Sequence, residues 1–411
     1  MLPVHSKTLN LSAPHQPSAA GAVEHQTDRD KPAVGQRAAE GGPIFAALPT
    51  MQPQVIDWKI GDGPLAGLPP IAAAIGNFDG VHIGHQALIR RAVAAAEQAG
   101  LTPAVICFRP HPRRYFAPDG PAFALLDEET RISRLAAAGA RLVIRLGFDA
   151  AMQGTQAADF INQVLPALNL RVLVAGADFG FGKSRGGGMA LLAELGASLP
   201  PEARIEAVPV ALEEMAGSAV SSSRIRQAIA EGALSDAARL LGSAFSISGE
   251  VTEGDQRGRQ IGFPTANIPL QTVARAGCMQ PPWGVYAVAV RQLGHSAAAA
   301  NAAATASQAY IHAGVANIGI RPSVVDRGVL LEVHLLDAEV DLYGKQLEVG
   351  LLKHIRPEQR FDGLEALQAQ IALDAGQARQ FHATRTGLPL AQSRQGNTAN
   401  RGRRGWWHYD D

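Results

Sequence analysis

Cysteine is nearly missing from this chain of 411 residues: there are two, Cys107 and Cys278, far apart and outside any CxxC pair. That excludes a zinc knuckle or redox dithiol built from paired thiols and leaves two buried or half-buried thiols in a reducing compartment. Net charge is missing too, with 37 Lys and Arg against 37 Asp and Glu. Bulk electrostatics therefore indicate neither nucleic acid nor an anionic membrane as partner. No apolar run is long enough to span a bilayer. The start, MLPVHSKTLNLSAPHQPSAAG, lacks a basic segment followed by an apolar one, so no secretory signal is read and cytoplasm is the expected location. What is there is ordinary apolar content and enough length for two cores.

The two ends are thin in pattern. Residues 1 to about 65 are rich in Ala, Gly, Pro, Gln and Ser with little periodicity and are expected to be a disordered tail. Residues 386–411, ending RGRRGWWHYDD, are expected to be a second, solvated tail, although its arginines with Trp406 and Trp407 could contact a partner. From Ile71, short apolar runs alternate with helical segments: IAAAIG, QALIRRAVAAAEQAG, AVICF, DEETRISRLAAAG, RLVIRLG, QAADFINQVLPALN, RVLVAG, MALLAELGASL, RIEAVPV. Near-continuous apolar strands in a βαβα rhythm predict a parallel sheet covered on both faces. Two helices follow, stopping at Gly232 and Gly242. After Phe245 the rhythm turns all-β, with FSISGEVTEGD, WGVYAVAVRQ, YIHAGVANIGI and LLEVHLLD, before a last helix, LEALQAQIALDAGQARQF. The Ala-rich residues 296–308 read as an expanded hairpin loop, which costs little. The expected fold is an α/β doubly wound parallel-sheet domain, residues 66–243. A small antiparallel β-barrel domain with a C-terminal helix follows, residues 244–385.

Five segments are candidates for chemistry. GNFDGVHIGH, Gly76 to His85, follows a strand and opens a helix, where doubly wound sheets place ligands. His82 and His85 share a face of the first helical turn, and Gly84 keeps the space between them open. Imidazole donors beside a helix N-terminus suit the charge that develops on the α-phosphate and the leaving pyrophosphate in nucleotidyl transfer. Two histidines are too few for a closed zinc site. VSSSRIR carries Ser221, Ser222 and Ser223 with Arg224 and Arg226. It reads equally as a helix cap and as a grip on the β- and γ-phosphates of ATP.

GADFGFGKSRGG resembles a P-loop only superficially. The opening glycine would be Ala177, and glycines stand where the helix should begin. Phe179 and Phe181 there could face a planar ligand, with core packing expected for at least one. GDQRGRQIGFPTANI reads alone as a turn and a strand; its Gly258 and Gly262 would let phosphates approach, and Thr265 and Asn267 share a face as hard-oxygen ligands for Mg²⁺. In LLEVHLLD, Glu332 and His334 share a strand face, either solvated or, for Glu332, placed to accept a hydroxyl proton.

With FRPHPRRYF and NIGIRPSV, these segments occur in the order of one family, and from about Ile71 to Arg379 the chain resembles the bifunctional prokaryotic riboflavin kinase/FMN adenylyltransferases. The resemblance implies two ATP-dependent reactions, riboflavin to FMN and then FMN to FAD with release of pyrophosphate. It implies catalytic roles for His82, His85 and Glu332. It assigns ATP binding to Gly76, Asn77, Phe78, Gly84, Ser221, Ser222, Ser223, Arg226, Gly258 and Gly262. Flavin binding falls to Asp178 and Phe179, and Mg²⁺ to Thr265 and Asn267. Arg109, Ala177, Gly180, Ile320 and Ser323 depart from the family pattern. Expected partners are small-molecule nucleotides and flavins, with no nucleic acid and no membrane, for a monomer or weak homo-oligomer.

Overall fold

The computed structural model describes residues 43–253, 263–272, 275, 277–293, 311–320, 328–336, 338, 340 and 342–385. Six strands make the first sheet: β1 (Gln54–Trp58), β2 (Ile71–Ile75), β3 (Thr102–Arg109), β4 (Leu142–Gly147), β5 (Leu170–Gly176) and β6 (Glu206–Val210). All pair in parallel, in the order β1-β4-β3-β2-β5-β6. Every residue of β2, IAAAI, is buried, as a central strand covered on both faces requires. Helix α1 (Ile83–Ala99) packs on β2, β3 and β5. Then come α2 (Pro112–Phe116), α3 (Glu128–Ala137) and α4 (Met189–Ser198). From β2 the chain builds outward through β3 to β4, then returns to place β5 on the other side of β2. The order thus reverses between β2 and β5, and the crevice at their carboxyl ends is where such sheets bind ligands.

Helices α5 (Ser222–Ala230) and α6 (Leu234–Leu241) lead to the second sheet. Gly242 ends α6 in the left-handed region, φ 79°, as its place in the sequence predicts. A two-rung hairpin, β7 (Glu214–Met215) and β8 (Ser218–Ala219), precedes them. The second sheet holds β9 (Phe245–Glu250), β10 (Ala266–Pro269), β11 (Gly284–Gln292), β12 (Ile311–Ile320), β13 (Val329–Leu335) and β14 (Gln346–Pro357). Its order is β10-β13-β12-β11-β14-β9, all antiparallel, and a bridge from Thr252 to Asn267 joins its two edges. Helix α7 (Leu364–Arg385) packs on β11, β12 and β14.

The two sheets share one core. Ile89 and Val105 belong to the same buried cluster as Leu240, Leu241, Phe245, Ile247 and Leu347. A buried ionic network also crosses the junction. Arg134 of α3 donates to Ser246 Oγ at 2.7 Å, Ser246 Oγ donates to Glu348 Oε1 at 2.6 Å, and Arg291 Nε donates to Glu348 Oε2 at 2.8 Å. Nearby, Arg275 lies 3.5 Å from Asp127, and the backbone of Phe123 and Ala124 bonds to Gly277.

One expectation needs correction. The ordered fold begins well before residue 66. β1 pairs along its length with β4, and Trp58 is buried. Ile44 and Phe45 are buried against the second sheet, where the Ile44 carbonyl accepts from Ala244 N at 3.0 Å and Phe45 lies under the Arg291 guanidinium. Apolar residues in two short runs, PIFAAL and QVIDW, drive this docking despite the Gly- and Pro-rich spacing around them. The expected tail at 386–411 and the loop at 296–308 lie outside the described residues.

Because Glu348 is flanked by two buried guanidinium groups, removing it leaves their charge uncompensated. Glu348→Ala should lower the unfolding free energy by about 3–5 kcal/mol, measured by urea denaturation.

Candidate active sites

The chain turns sharply after β2. Phe78 and Val81 have φ 52° and 43°, and Gly80 has φ 84°. A Cβ on Gly80 would stand 2.6 Å from Leu125 Cδ1, so only glycine fits there. The turn delivers His82 as N-cap of α1, its Nδ1 accepting from His85 N at 3.3 Å. In a neutral ring that leaves the proton on Nε2, so His82 offers a donor outward. The two imidazoles stack with centroids 3.6 Å apart, 16° from parallel. Burial holds His82 near a pKa of about 4, and burial with the His82 charge holds His85 well below its usual range. His85 Nδ1 is buried with no hydrogen-bond partner among the described residues. A Cβ at Gly84 would come 3.3 Å from His82 Nδ1, closer than ordinary contact.

The serine-rich segment meets this turn. Ser221 caps α5, its Oγ accepting from Arg224 N. Ser222 Oγ donates to the Asp79 carbonyl at 2.8 Å. Arg226 donates to Asp79 Oδ2 at 2.6 Å and to Ser223 Oγ at 3.2 Å. Capping thus accounts for Ser221 only, while Ser223 and Arg226 form a polar pair beside the histidine turn. Asn77 is exposed, with its carbonyl held by Arg131 at 3.1 Å, and Gly76 N donates to Ile106 O. The left-handed turn drives the Phe78 ring into the core, fully buried, with its centroid 5.1 Å from that of His85.

At the end of β5, Asp178 is exposed and Phe179 half-buried; Phe179 stacks on Phe181 at 5.6 Å, and Phe181 is in the core. Lys183–Arg185 makes a single 3₁₀ turn, and α4 begins only at Met189, which agrees with rejecting a P-loop. An aromatic group that sequence reasoning did not single out forms just beyond the ends of β3 and β4. Tyr115, Phe116 and Phe148 contact one another edge-on, and Phe116 is 61% exposed.

The second site is a cleft of about 1200 Å³ between the barrel and α7. Phe263, Trp283, Ile320, Phe361, Leu364 and Leu367 give it an apolar wall, while Thr265, Asn317, Glu332 and His334 are polar. Strand register explains the polar side. Asn267 pairs with Glu332, which pairs with Asn317, so the three side chains share a face. Asn267, 4% exposed, sits deepest. Leu331, Val333 and Leu335 face the core, as the alternation of LLEVHLLD predicts. Glu358 also lines the cleft; burial and the nearby Glu332 raise its pKa, against Arg356. Sequence reasoning missed Asn317, Arg356 and Glu358. Gly258, Gly262 and Ser323 lie outside the described residues.

Residues 67–224 match the FAD synthetase family and residues 241–382 the riboflavin kinase family. A bifunctional riboflavin kinase/FMN adenylyltransferase of Escherichia coli K12 is 40% identical over 308 residues, 75% of this chain and 91% of that protein. The chain belongs to this bifunctional family. Members from Listeria monocytogenes and Bacillus subtilis are 35% and 34% identical, each over 75% of this chain and over 92% and 91% of their own length. A crystal structure described as a macrolide-efflux protein from Streptococcus pneumoniae superposes with a TM-score of 0.63 at 28% identity, covering 79% of this chain and 99% of that one. Among the described residues no helix is long and apolar enough to cross a membrane. The first family match contains the histidine pair and the three serines; the second contains Thr265, Asn267 and Glu332.

The depressed histidines carry a stability consequence. Between pH 6.5 and about 4 the unfolded chain binds protons that folded His82 refuses, so stability should fall as pH drops through that window. The share of His82 is up to about 3 kcal/mol. His111 is lowered in the same way, to about 4. Urea unfolding at pH 7 and pH 5 should show the loss, and His82→Asn, which keeps a cap acceptor, should remove part of it.

Proposed function

We propose that the chain phosphorylates riboflavin in the barrel cleft and adenylylates the resulting FMN in the crevice of the parallel sheet. The working units are residues 66–243, with β1 added to them, and 244–385. The observation that carries this reading is the presence of two separate polar sites on two different sheets. One is a neutral histidine pair at a helix start beside Arg226. The other is a row of Asn267, Glu332 and Asn317 on three paired strands, of which Glu332 and Asn317, with Thr265, line an apolar-walled cleft.

In the crevice a phosphate oxygen of FMN attacks the α-phosphorus of ATP, the bond from that phosphorus to the bridging oxygen breaks, and its electron pair leaves with pyrophosphate. His82 and His85 donate to the α-phosphate oxygens, and no covalent intermediate is needed. Ser221, Ser222, Ser223 and Arg226 border the β- and γ-phosphates, the first two mainly by holding the helix start and the turn in register. The flavin ring lies along Phe179 and the Tyr115–Phe116 group, with Asp178 at its polar edge.

In the cleft the flavin ring rests on Trp283, Phe361 and Leu364, and the ribityl chain points toward Glu332. The Glu332 carboxylate takes the proton of the terminal hydroxyl as its oxygen attacks the γ-phosphorus, and ADP departs. Mg²⁺ fits here as a phosphate-borne ion, because Mg²⁺ needs few protein ligands and Thr265 and Asn267 supply hard oxygens on one face. When bound, it would neutralise phosphate charge. Among the described residues no group of three His, Cys, Asp or Glu side chains forms a dedicated metal cage. Cytoplasm suits two buried free thiols, Cys107 and Cys278. The enzyme works there as a monomer or weak homo-oligomer on nucleotides and flavins.

Two substitutions separate the reactions, with products followed chromatographically from riboflavin, ATP and Mg²⁺. His85→Ala should cut FAD formation by about 10²–10³ while FMN accumulates. Glu332→Gln should cut FMN formation by about 10²–10⁴ while supplied FMN is still adenylylated. Loss of both activities from either change in folded protein would refute the two-site assignment.

A further inference from the structure

The turn after β3 gathers positive charge on one ring. Phe123 is buried, and its backbone N–H donates to Gly277 O at 2.9 Å, so its place is fixed from the barrel side. The guanidinium carbons of Arg113, Arg114 and Arg226 lie 4.7, 5.5 and 5.7 Å from its centroid, and the His111 ring meets it edge-on at 4.9 Å.

The three arginines differ in what else they do. Arg114 donates to the carbonyls of Pro118, Gly120 and Pro121 and braces the turn. Arg226 is paired with Asp79. Arg113 is exposed and has no carboxylate partner among the described residues. Stacking on a ring uses the face of a guanidinium and leaves its in-plane N–H groups available. His111, lowered to about 4 by burial and by the neighbouring charges of Arg131, Arg226 and Arg113, adds no charge of its own. Three guanidinium groups therefore converge on one ring, and only Arg226 is paired with a carboxylate, an excess of positive charge that an anion would offset.

We infer that Arg113 and Arg226 form a two-pronged clamp for the terminal phosphates of ATP in the adenylylation crevice. This rests on the reading of Arg226 as a phosphate-binding residue. As the bond between the α-phosphorus and its bridging oxygen breaks, the departing pyrophosphate takes the electron pair, and both guanidinium groups donate to its oxygens. Arg113 is thus a residue that selects a triphosphate and stabilises its leaving group. Its position follows from Phe123, which the barrel domain holds.

The test uses the full chain with Arg113→Met, which keeps length and contact with Phe123 but removes charge and donors, and with Arg113→Lys. Adenylylation is measured with ATP and FMN varied in turn and with inorganic pyrophosphate as inhibitor. Riboflavin phosphorylation by the same preparation reports folding. Arg113→Met should lower kcat/KM for ATP by about 10- to 100-fold and weaken pyrophosphate inhibition by a similar factor. KM for FMN and kinase activity should stay within about twofold, and Arg113→Lys should recover part of the loss. Unchanged ATP kinetics and pyrophosphate inhibition would overturn the clamp. So would an effect confined to KM for FMN, which would assign Arg113 to the flavin phosphate. Arg226→Met run alongside separates the two claims: if it is silent, the underlying phosphate site fails. If it responds while Arg113→Met is silent, only the clamp fails.

Discussion

A carboxylate taken out of water stays ionised only where partners replace the water it lost, and the adenylylation crevice is organised around how Asp79 meets that condition. Burial pushes its pKa up; the Leu125 amide and the charges of Arg226 and Arg131 push it back. These partners come from three other parts of the chain. Leu125 N donates to Oδ1 at 2.8 Å, and Arg226 donates to Oδ2 from the first turns of α5. The Asp79 backbone carbonyl is taken by Ser222. One side chain thereby sets the histidine turn, the serine-rich helix and the 123–127 segment relative to each other. The left-handed residues around it are tolerated because so many contacts over-determine the turn.

The same logic recurs between the domains with another outcome. Glu348 is as buried as Asp79, yet its partners, Arg134 and Arg291, are buried too and none of the three opens on a site. That pairing joins α3 to β14 and β11, and through the Ala46 carbonyl, which accepts from Arg291, it reaches the N-terminal segment. Beside it, the pairing of 123–124 with 277–279 links the two catalytic units by backbone. Phe123, over which Arg113 and Arg226 lie, is thus held in place from the barrel side.

How much of this was legible in the sequence follows from how local each signal is. β2, β4 and β5 were readable because strands buried on both faces become unbroken apolar runs such as IAAAI and RVLVAG. β1 was not, because an edge strand pairs on one side only and QVIDW sits amid Pro and Gly. The histidine pair was readable because its geometry is written within one helical turn. Asp79 with Arg226 was not, since a contact across 147 positions has no periodicity to betray it. The orientation of Phe78 was not legible either, because only the sign of its φ reveals that the ring turns inward. In the cleft, Glu332 and Thr265 could be named singly. Their meeting with Asn317 depends on the register of three strands, which the sequence does not state.

The two sites also solve the handling of phosphate charge by opposite electrostatics. In the parallel-sheet domain the guanidinium groups of Arg113 and Arg226 lie over Phe123 and the His82 imidazole is neutral, so on the proposed reading the protein's own donors would meet an incoming triphosphate. In the cleft, burial first and the charge of Glu332 second raise the carboxyl of Glu358, and Arg356, whose charge opposes that shift, is engaged by Asp374 through both carboxylate oxygens. On the proposed reading both reactions use Mg²⁺ to offset phosphate charge, and in the cleft it would also offset the carboxylates of Glu332 and Glu358. A base that must accept a proton is weakened by neighbouring arginines, which depress its pKa, so a cation arriving with the nucleotide beside Thr265 and Asn267 would suit the proposed role of Glu332 better than further guanidinium groups.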